Sequence, residues 1–463
     1  MTAVHVLFAT AEFAPVASVG GLAAAAAGLV AELRRQGITV DVVMPDYGDT
    51  ELLGETSFAL ADVPTWVVPA SVRSGTHPQA GPIHLVTVPG IVRRHPYLQP
   101  DGAGWPDNDA RFLGFSMAVA ALARRWGPDV VHLNDWHTAG ALGDLPATVA
   151  SVLSIHNLAY QGATGPEWLG RLGPRSAAYE RFGFTNPLSG GLLLADAIVA
   201  VSPSYADEIL DPVNAYGLEG VLQHRRVALV GILNGIDTDV WNPATDRLLV
   251  ATYATVDEAA RTANRSAVLA AVGLPEGPGP LLVMVTRLVE QKGVDLVLPL
   301  LPLLHRLPAR LAVLGSGDAA LATALREAAA AHPDTVAFVD GYDERLSHRL
   351  FAGGDLLLMP SRFEPCGLAQ MQALRYGTLP VVTAVGGLRD TVVDLDDHPT
   401  AGTGWAADRP EPVALADAVH RAVRGWSTPA TRQAAQARGM AVDWSWQAPA
   451  RRHVALYERV VAG

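Results

Sequence analysis

The stretches Ser361-Arg-Phe-Glu-Pro-Cys-Gly-Leu368 and Thr286-Arg-Leu-Val-Glu-Gln-Lys-Gly293 each follow a short apolar run with the length of a buried strand. The first places the carboxylate of Glu364 directly before a proline and a glycine-led helix start. The second places two cations, Arg287 and Lys292, on a turn. Loops that join a strand to a helix are typical of doubly wound α/β sheets, whose ligands bind at the carboxyl ends of the strands.

Apolar runs and helical stretches also alternate in the first half of the chain. An apolar run at residues 4–9 is followed by a Gly-containing loop, an Ala-rich helical stretch to about Arg35 and a second apolar run at 40–44. This order predicts a mostly parallel, doubly wound sheet. Further strands are predicted at residues 83–88, 130–133, 147–155, 197–201 and 228–232, and a helix at 110–126.

The pattern breaks at Asn242-Pro-Ala-Thr-Asp246 and then restarts. We therefore predict two Rossmann-like domains that face a cleft, residues 1–242 and residues 243–443. A C-terminal helix at about 444–463 is assigned to the first domain. The strands predicted in the second domain are 280–285, 310–314, 335–339, 355–359 and 380–383.

Composition restricts the classes of partner and compartment. The chain has 463 residues, of which 17% are charged, and its net charge of −12 disfavours nucleic acid as a partner. No apolar run is long enough to span a bilayer, and no secretory signal is visible. The one cysteine, Cys366, precludes an internal disulfide, so a cytoplasmic protein is predicted. The sequence does not indicate the oligomeric state.

Three charged residues are the leading candidates for chemistry. Arg287 and Lys292 can converge on a diphosphate and offset its charge, and Glu364 can accept hydrogen bonds from sugar hydroxyls. The alternatives are a solvated basic turn and an acidic residue that stabilises a helix N-terminus.

Glycine pairs at helix starts are weaker candidates. Gly20-Gly21 and Gly386-Gly387 can let backbone N–H groups approach a phosphate, although each pair can equally be a tight turn. Cys366 can be a reactive thiol or a small buried side chain.

Other polar residues follow predicted strands. His156 ends an apolar strand and can donate to a substrate oxygen, or it can be satisfied by the backbone. Asn234 can bond a ligand or belong to an Asn-Gly turn. His132, Asp135 and His137 could suggest a metal site, but no further clustered ligand supports one, so no metal is predicted.

Taken together, these residues resemble the bacterial glycogen synthase and plant starch synthase family, from about residue 4 to the C-terminus. The most specific blocks are residues 361–368 and 234–243. The other matching segments are residues 20–22, 134–137, 156–162, 201–205, 216–220, 287–293, 341–349, 376–380 and 386–388.

The resemblance implies the glycosyltransferase B fold and a retaining transfer from a nucleotide sugar, with no metal or other cofactor. It implies that Arg287 and Lys292 hold the diphosphate, that Glu364 holds sugar hydroxyls and that His156 contacts the sugar's 6-position. It further implies a donor site that includes Gly20, Gly21, Asn234, Tyr342, Cys366, Gly367, Leu368, Gly386 and Gly387, and an acceptor side that includes Asp135, Trp136 and His137.

Three positions depart from the family pattern. Ser18 and Ser189 stand where the family has lysines, and Ala24 stands where it has an acidic residue. We therefore expect a diverged pseudo-glycosyltransferase of specialised metabolism, which uses a nucleotide-activated sugar or cyclitol and a small acceptor such as an amino sugar, with C–N coupling as one option. The alternatives are an ADP-glucose-dependent α-1,4-glucan synthase and a catalytically silent sugar-nucleotide-binding protein.

Overall fold

The computed structural model describes residues 4–100 and 102–463, and the chain divides into two compact units. The first contains the residues up to Gly235 together with Trp446–Gly463, and the second is Ile236–Ser445. This division precedes the boundary predicted at residue 242. The segment after Gly235 joins the second unit because the ring of Trp241 stacks on that of His348, with centroids 4.0 Å apart.

A nine-stranded sheet forms the centre of the first unit. Its neighbouring strands are parallel, except that one hairpin strand, Ser71–His77, runs antiparallel to both of its neighbours. The strands of this unit are β1 (His5–Ala9), β2 (Thr39–Pro45), β3 (Leu53–Ala59), β4 (Ser71–His77), β5 (Gly81–Thr87), β6 (Val130–Asn134), β7 (Ala150–Ile155), β8 (Glu180–Arg181), β9 (Phe184–Thr185), β10 (Ala197–Ala200) and β11 (Leu229–Gly231). The order in the sheet is β11-β10-β7-β6-β1-β2-β5-β4-β3, and β8 and β9 form a separate hairpin.

The C-terminal helix of the chain packs within the first unit. A Cβ atom at Gly28 would lie 2.0 Å from Nε1 of Trp446, so glycine at this position lets the indole approach the first helix. The helices of the unit are α1 (Gly21–Arg35), α2 (Asn108–Trp126), α3 (Trp136–Ala139), α4 (Pro187–Leu194), α5 (Pro203–Glu208), α6 (Glu219–His224) and the C-terminal helix Gln447–Ala462, which is α15 in chain order.

The second unit contains a six-stranded parallel sheet in the order β14-β13-β12-β15-β16-β17. Its strands are β12 (Leu281–Leu288), β13 (Arg310–Gly317), β14 (Val336–Asp340), β15 (Leu356–Met359), β16 (Leu379–Thr383) and β17 (Trp405–Ala407). Its helices are α7 (Glu258–Val272), α8 (Leu301–Arg306), α9 (Ala319–Ala331), α10 (Glu344–Gly353), α11 (Ala369–Arg375), α12 (Gly386–Thr391), α13 (Pro412–Trp426) and α14 (Pro429–Ala441).

Two features of the sheets differ from the sequence prediction. Strands β3, β4, β8, β9 and β17 were not predicted. Strand β3 is almost wholly exposed and lacks an apolar alternation, and β8, β9 and β17 are only two or three residues long. Strand β12 runs three residues past the apolar run that predicted it, so Arg287 lies within the strand rather than on a turn. The extension follows from pairing, since Arg287 is in register with Ser316 of β13.

Within the part of the chain that the structure describes, no helix combines the length and the apolar character needed to cross a lipid bilayer.

Four histidines in the first unit are held in their neutral form. Burial lowers the pKa of His137 and of His156 to about 3 and that of His453 to about 4, and it holds the pKa of His132 well below its ordinary value. His132 bonds Oγ of Ser154 at 2.7 Å and the hydroxyl of Tyr457 at 2.6 Å. Asp135 behaves oppositely, because burial raises its pKa to about 7.

These shifts predict that the first unit loses stability as the pH falls from 6.5 to 5. In that interval the unfolded chain protonates its histidines and the folded chain does not, which lowers the free energy of unfolding by up to about 1.4 kcal/mol per pH unit for each histidine. Asp135 acts in the opposite direction: its raised pKa increases the free energy of unfolding as the pH falls. Urea unfolding at pH 7.5 and at pH 5 measures the effect, and His453→Gln should reduce it. Equal stability at the two pH values would contradict this prediction.

Candidate active site

In the second unit, an ion pair joins the two sequence stretches that predicted the fold. Nζ of Lys292 lies 2.5 Å from Oε2 of Glu364, and the hydroxyl of Ser361 donates to the same oxygen at 3.0 Å. The Glu364 side chain is 6% exposed and that of Lys292 is 18% exposed. Each charge therefore compensates the other in a largely buried place.

A glycine and two further hydrogen bonds allow this approach. Gly293 has a φ of +62°, and a Cβ atom there would lie 2.0 Å from the carbonyl oxygen of Pro360. The backbone N–H of Arg362 donates to the carbonyl of Gln291 at 2.8 Å, and Nε2 of Gln291 donates to the carbonyl of Phe363 at 3.2 Å. The turn after β12 is thus fastened directly to the loop after β15.

Arg287 presents the exposed cation of this cluster. Its side chain belongs to the C-terminal end of β12, and within residues 4–100 and 102–463 no carboxylate lies within 4 Å of its guanidinium. An exposed guanidinium can bind a bidentate anion such as a phosphate.

The predicted glycines of the second unit lie on two segments that contact each other. A Cβ atom at Gly387 would lie 2.1 Å from the carbonyl oxygen of Cys366, and the N–H of Gly387 donates to the carbonyl of Glu364 at 3.0 Å. Gly367 has a φ of +73°. The backbones that carry Glu364, Cys366, Gly367, Leu368, Gly386 and Gly387 therefore form one continuous surface.

Gln370 fastens this surface and was missed by the sequence analysis. It is fully buried, and its Nε2 lies 3.1 Å from the carbonyl oxygen of Cys366 and 3.1 Å from Oγ1 of Thr391. Thr391 in turn donates to the carbonyl of Gly387 at 2.6 Å. A glutamine shortly after a glycine turn carries no distinctive motif, so only the tertiary contacts identify it.

Tyr342 stands apart from these contacts. It follows β14, after Gly341 with a φ of +133°, and its side chain is 83% exposed. Cys366 is buried, which fits a packed side chain better than an accessible thiol.

In the first unit, a buried carboxylate holds the Gly20-Gly21 loop. Oε2 of Glu12 accepts hydrogen bonds from the N–H groups of Val19 at 2.7 Å and Gly20 at 2.9 Å, and Oε1 accepts from the Tyr97 hydroxyl at 2.8 Å. The N–H of Gly20 is therefore already engaged, which leaves Gly21, the first residue of α1, as the phosphate-binding candidate of the pair. The sequence analysis did not identify Glu12.

His156 and Asn234 lie together, as lining residues of one small cavity that also borders Asn134 and His453. The His156 ring nitrogen Nε2 lies 2.9 Å from Oδ1 of Asn134. Nδ2 of Asn134 donates to the carbonyl of Ala9 at 2.9 Å, and this second bond sets which way the amide points.

The three residues predicted for the acceptor side have different environments. Asp135 has a φ of +54°, and its carboxylate accepts a hydrogen bond from the backbone N–H of His156 at 2.7 Å. Trp136 is partly exposed and covers Gly162. His137 is 8% exposed and packs against the rings of Phe112 and Trp136.

No group of three or more potential metal ligands is found among the residues that the structure describes. His132 and Asp135, weighed as ligands from the sequence, are instead engaged with Ser154 and Tyr457 and with the backbone of His156.

Comparisons with known proteins identify both units. A family model described as the starch synthase catalytic domain matches residues 5–224, and one described as glycosyl transferases group 1 matches residues 270–439. A glycogen synthase from Halorhodospira halophila is 48% identical over 99% of each chain, and one from Alkalilimnicola ehrlichii is 45% identical over 98% of each chain.

Solved structures show the same relationship. The catalytic domain of starch synthase IV from Arabidopsis thaliana, bound to ADP and acarbose, has a TM-score of 0.88, 31% identity and full coverage of both chains. A sucrose-phosphate synthase from Thermosynechococcus elongatus, at 17% identity and a TM-score of 0.65 over 99% of each chain, shares the fold.

These relatives contradict one expectation. The replaced charges at Ser18, Ala24 and Ser189 suggested a pseudo-glycosyltransferase with a small acceptor in specialised metabolism, but relatives at 48% and 45% identity over nearly the whole chain are named glycogen synthase. The expectation was wrong because it rested on three positions, whereas the identity to these relatives extends over nearly the whole chain. The chain, an α/β protein with the two-domain glycosyltransferase B fold, belongs to the glycogen synthase and starch synthase family of glycosyltransferases.

Proposed function

We propose that this protein is an ADP-glucose-dependent α-1,4-glucan synthase, which transfers glucose with retention of configuration to the end of a glucan. The names of the relatives support the reaction. The ADP and acarbose bound to the Arabidopsis enzyme support the nucleotide and a glucan-like acceptor.

The ion pair between Lys292 and Glu364 is the observation that carries the proposal. It places a cation suited to a diphosphate next to a carboxylate suited to sugar hydroxyls, on a backbone surface formed by glycines. When the bond between sugar and phosphate breaks, negative charge grows on the departing ADP. Arg287 and Lys292 offset that charge, so in this proposal the side chains serve where other transferases use a metal ion.

Glu364 holds the sugar by its hydroxyls, and the departing phosphate takes the proton of the acceptor hydroxyl on the same face. No protein nucleophile is needed. Lys292 orients the Glu364 carboxylate through the ion pair, and a bound diphosphate then shares the ammonium group.

In the first unit, His156 acts as a hydrogen-bond acceptor, which replaces the donor role expected from the sequence. The Asn134 amide presents its oxygen to Nε2, because its nitrogen is engaged with the carbonyl of Ala9. Nε2 therefore carries the proton, and the lowered pKa of His156 leaves Nδ1 unprotonated. A sugar hydroxyl that faces Nδ1 donates to it.

A transfer assay with radiolabelled ADP-glucose and maltoheptaose tests the function. We expect glucose incorporation into α-1,4 linkages, preference for ADP-glucose over the UDP, GDP and dTDP donors, and unchanged rates in EDTA. Glu364→Gln should lower kcat/KM at least a hundredfold, whereas Glu327→Gln, on an exposed face of α9, should match the wild type. Absence of transfer from ADP-glucose, with transfer from another donor, would refute the proposal.

The effect of the lysine that is replaced by Ser18 can be tested by mutation. Ser18 is exposed on the loop before Gly20, where the resemblance places a lysine that contacts the diphosphate. Because a charge-assisted hydrogen bond contributes roughly 1.5–3 kcal/mol, Ser18→Lys should lower the KM for ADP-glucose about tenfold or more. Ser18→Ala is the matched control and should leave the KM unchanged. The same KM in both variants would show that position 18 does not contact the donor.

The proton on His156 can be observed directly. We expect ¹⁵N NMR of histidine-labelled protein, assigned by comparison with His156→Gln, to show the tautomer protonated at Nε2. Asn134→Leu should convert His156 to a mixture of tautomers and raise the KM for ADP-glucose, since Nδ1 is then not held as an acceptor. A wild-type spectrum of the Nδ1-protonated form would contradict the assignment.

A further inference from the structure

Gln370 connects two segments of the candidate active site through its side-chain amide. It is fully buried in the first turn of α11, and its Nε2 lies 3.1 Å from the carbonyl oxygen of Cys366, 3.0 Å from that of Gly367 and 3.1 Å from Oγ1 of Thr391. Cys366 and Gly367 belong to the loop after β15, whereas Thr391 ends α12, which follows β16. One amide group therefore bridges the two backbone segments that carry the predicted glycines.

The direction of this amide is determined by its partners. The Thr391 hydroxyl donates its single proton to the carbonyl of Gly387 at 2.6 Å, so towards Gln370 it can only accept. The carbonyls of Cys366 and Gly367 can also only accept. A reversed amide would place Oε1 against three oxygen atoms that offer it no proton, and Nε2 is therefore the atom that faces them.

The oxygen of the same amide has no partner. Among the residues that the structure describes, no group donates to Oε1 of Gln370, although this atom is buried. An unpaired buried oxygen destabilises a fold, and a methionine of similar length would fill the space without one. Packing of α11 therefore gives no reason for a glutamine at this position, whereas the hydrogen bonds of Nε2 do.

The hydrogen bonds of Nε2 also set the direction of two peptide N–H groups. The peptide bonds between Cys366 and Leu368 are trans, and in a trans peptide the carbonyl oxygen and the following N–H point in opposite directions. Because the carbonyls of Cys366 and Gly367 point towards Gln370, the N–H groups of Gly367 and Leu368 point away from it. Each of these peptide units is thus held in one orientation before any ligand binds.

We propose that Gln370 is a positioning residue for the transfer reaction, which acts with Thr391 to aim the N–H groups of Gly367 and Leu368 at the diphosphate of the donor. Donors that are already in place stabilise the charge that grows on a departing phosphate without a cost of reorganisation. Gln370 acts through the backbone and needs no contact of its own with the donor. The inference rests on the proposed function for the diphosphate, but not for the base or the acceptor.

A second buried glutamine of this unit provides a matched control. Gln436 in α14 is 1% exposed, its Nε2 donates to the carbonyl of Gly377 at 2.9 Å, and its Oε1 also lacks a partner among the described residues. Gly377 precedes β16, so this bond lies at the opposite edge of the sheet from the loops that follow the strands. Its loss therefore measures what such a glutamine contributes to stability alone.

Nucleotide binding and transfer kinetics of four variants test the proposal. Gln370→Met and Thr391→Val should weaken ADP and UDP by the same factor, about tenfold, because the N–H groups meet phosphate rather than the base. Both should also lower kcat for transfer. Thr391→Ser keeps the hydroxyl and should retain the wild-type values. Gln436→Met should lower Tm as Gln370→Met does, with Kd and kcat unchanged. Calorimetric titration gives the affinities, and thermal unfolding gives Tm.

Two results would overturn the positioning role. Wild-type nucleotide affinity and kcat in Gln370→Met, whatever its Tm, would show that the amide serves the fold alone, and the same values in Thr391→Val would show this if Gln370→Met does not fold. A wild-type protein that binds neither nucleotide would leave the two N–H groups without a diphosphate. Weakened nucleotide binding in the variants would support the role even if no glucan is formed, in which case the proposed function alone fails.

Discussion

The candidate donor site depends on the ion pair between Lys292 and Glu364, whose residues are 72 positions apart in the chain. Neither charge would be stable alone at this level of burial, because an unpaired buried charge costs several kcal/mol. The pair forms because Gly293 lets its turn come within contact of the carbonyl of Pro360. The same contact carries Arg287 and the 361–368 loop to one edge of the second sheet, so the chemistry follows from a close approach of backbone.

The candidate residues of the first unit interact through hydrogen bonds between neutral groups, whereas those of the second unit form an ion pair. Asn134, His156 and the carbonyl of Ala9 form a chain of hydrogen bonds in which each donor has a defined acceptor. Burial keeps His156 neutral by lowering its pKa, so the ring adds no charge to the small cavity that it lines with Asn234. Glu12 provides the negative charge of this unit's glycine loop, but backbone N–H groups and the Tyr97 hydroxyl engage its oxygens.

Three positions depart from the family pattern, and the charges lost there bear on substrate affinity rather than on the class of reaction. Ser18 and Ser189 each remove a cation, and a charge-assisted contact is large enough to change substrate affinity tenfold or more. It does not decide the reaction, because Arg287, Lys292 and Glu364 occur on a scaffold that matches starch synthase IV over the full chain. The identity of the relatives therefore outweighs the three replacements as evidence for the reaction class.

The sequence by itself determined the family and the two doubly wound sheets, because apolar strands, glycine-led turns and the family's motifs are local patterns in a sequence. It also predicted most of the residues that are candidates for the site. It did not reveal the roles of Glu12, Asn134 and Gln370, because these are common residue types and their roles depend on hydrogen bonds seen only in the structure. It also placed Arg287 on a turn, because the end of β12 is set by pairing with β13 rather than by hydropathy. The tertiary structure alone decided these points, since hydrogen bonds between distant segments and the direction of a buried amide leave no periodic trace in a sequence.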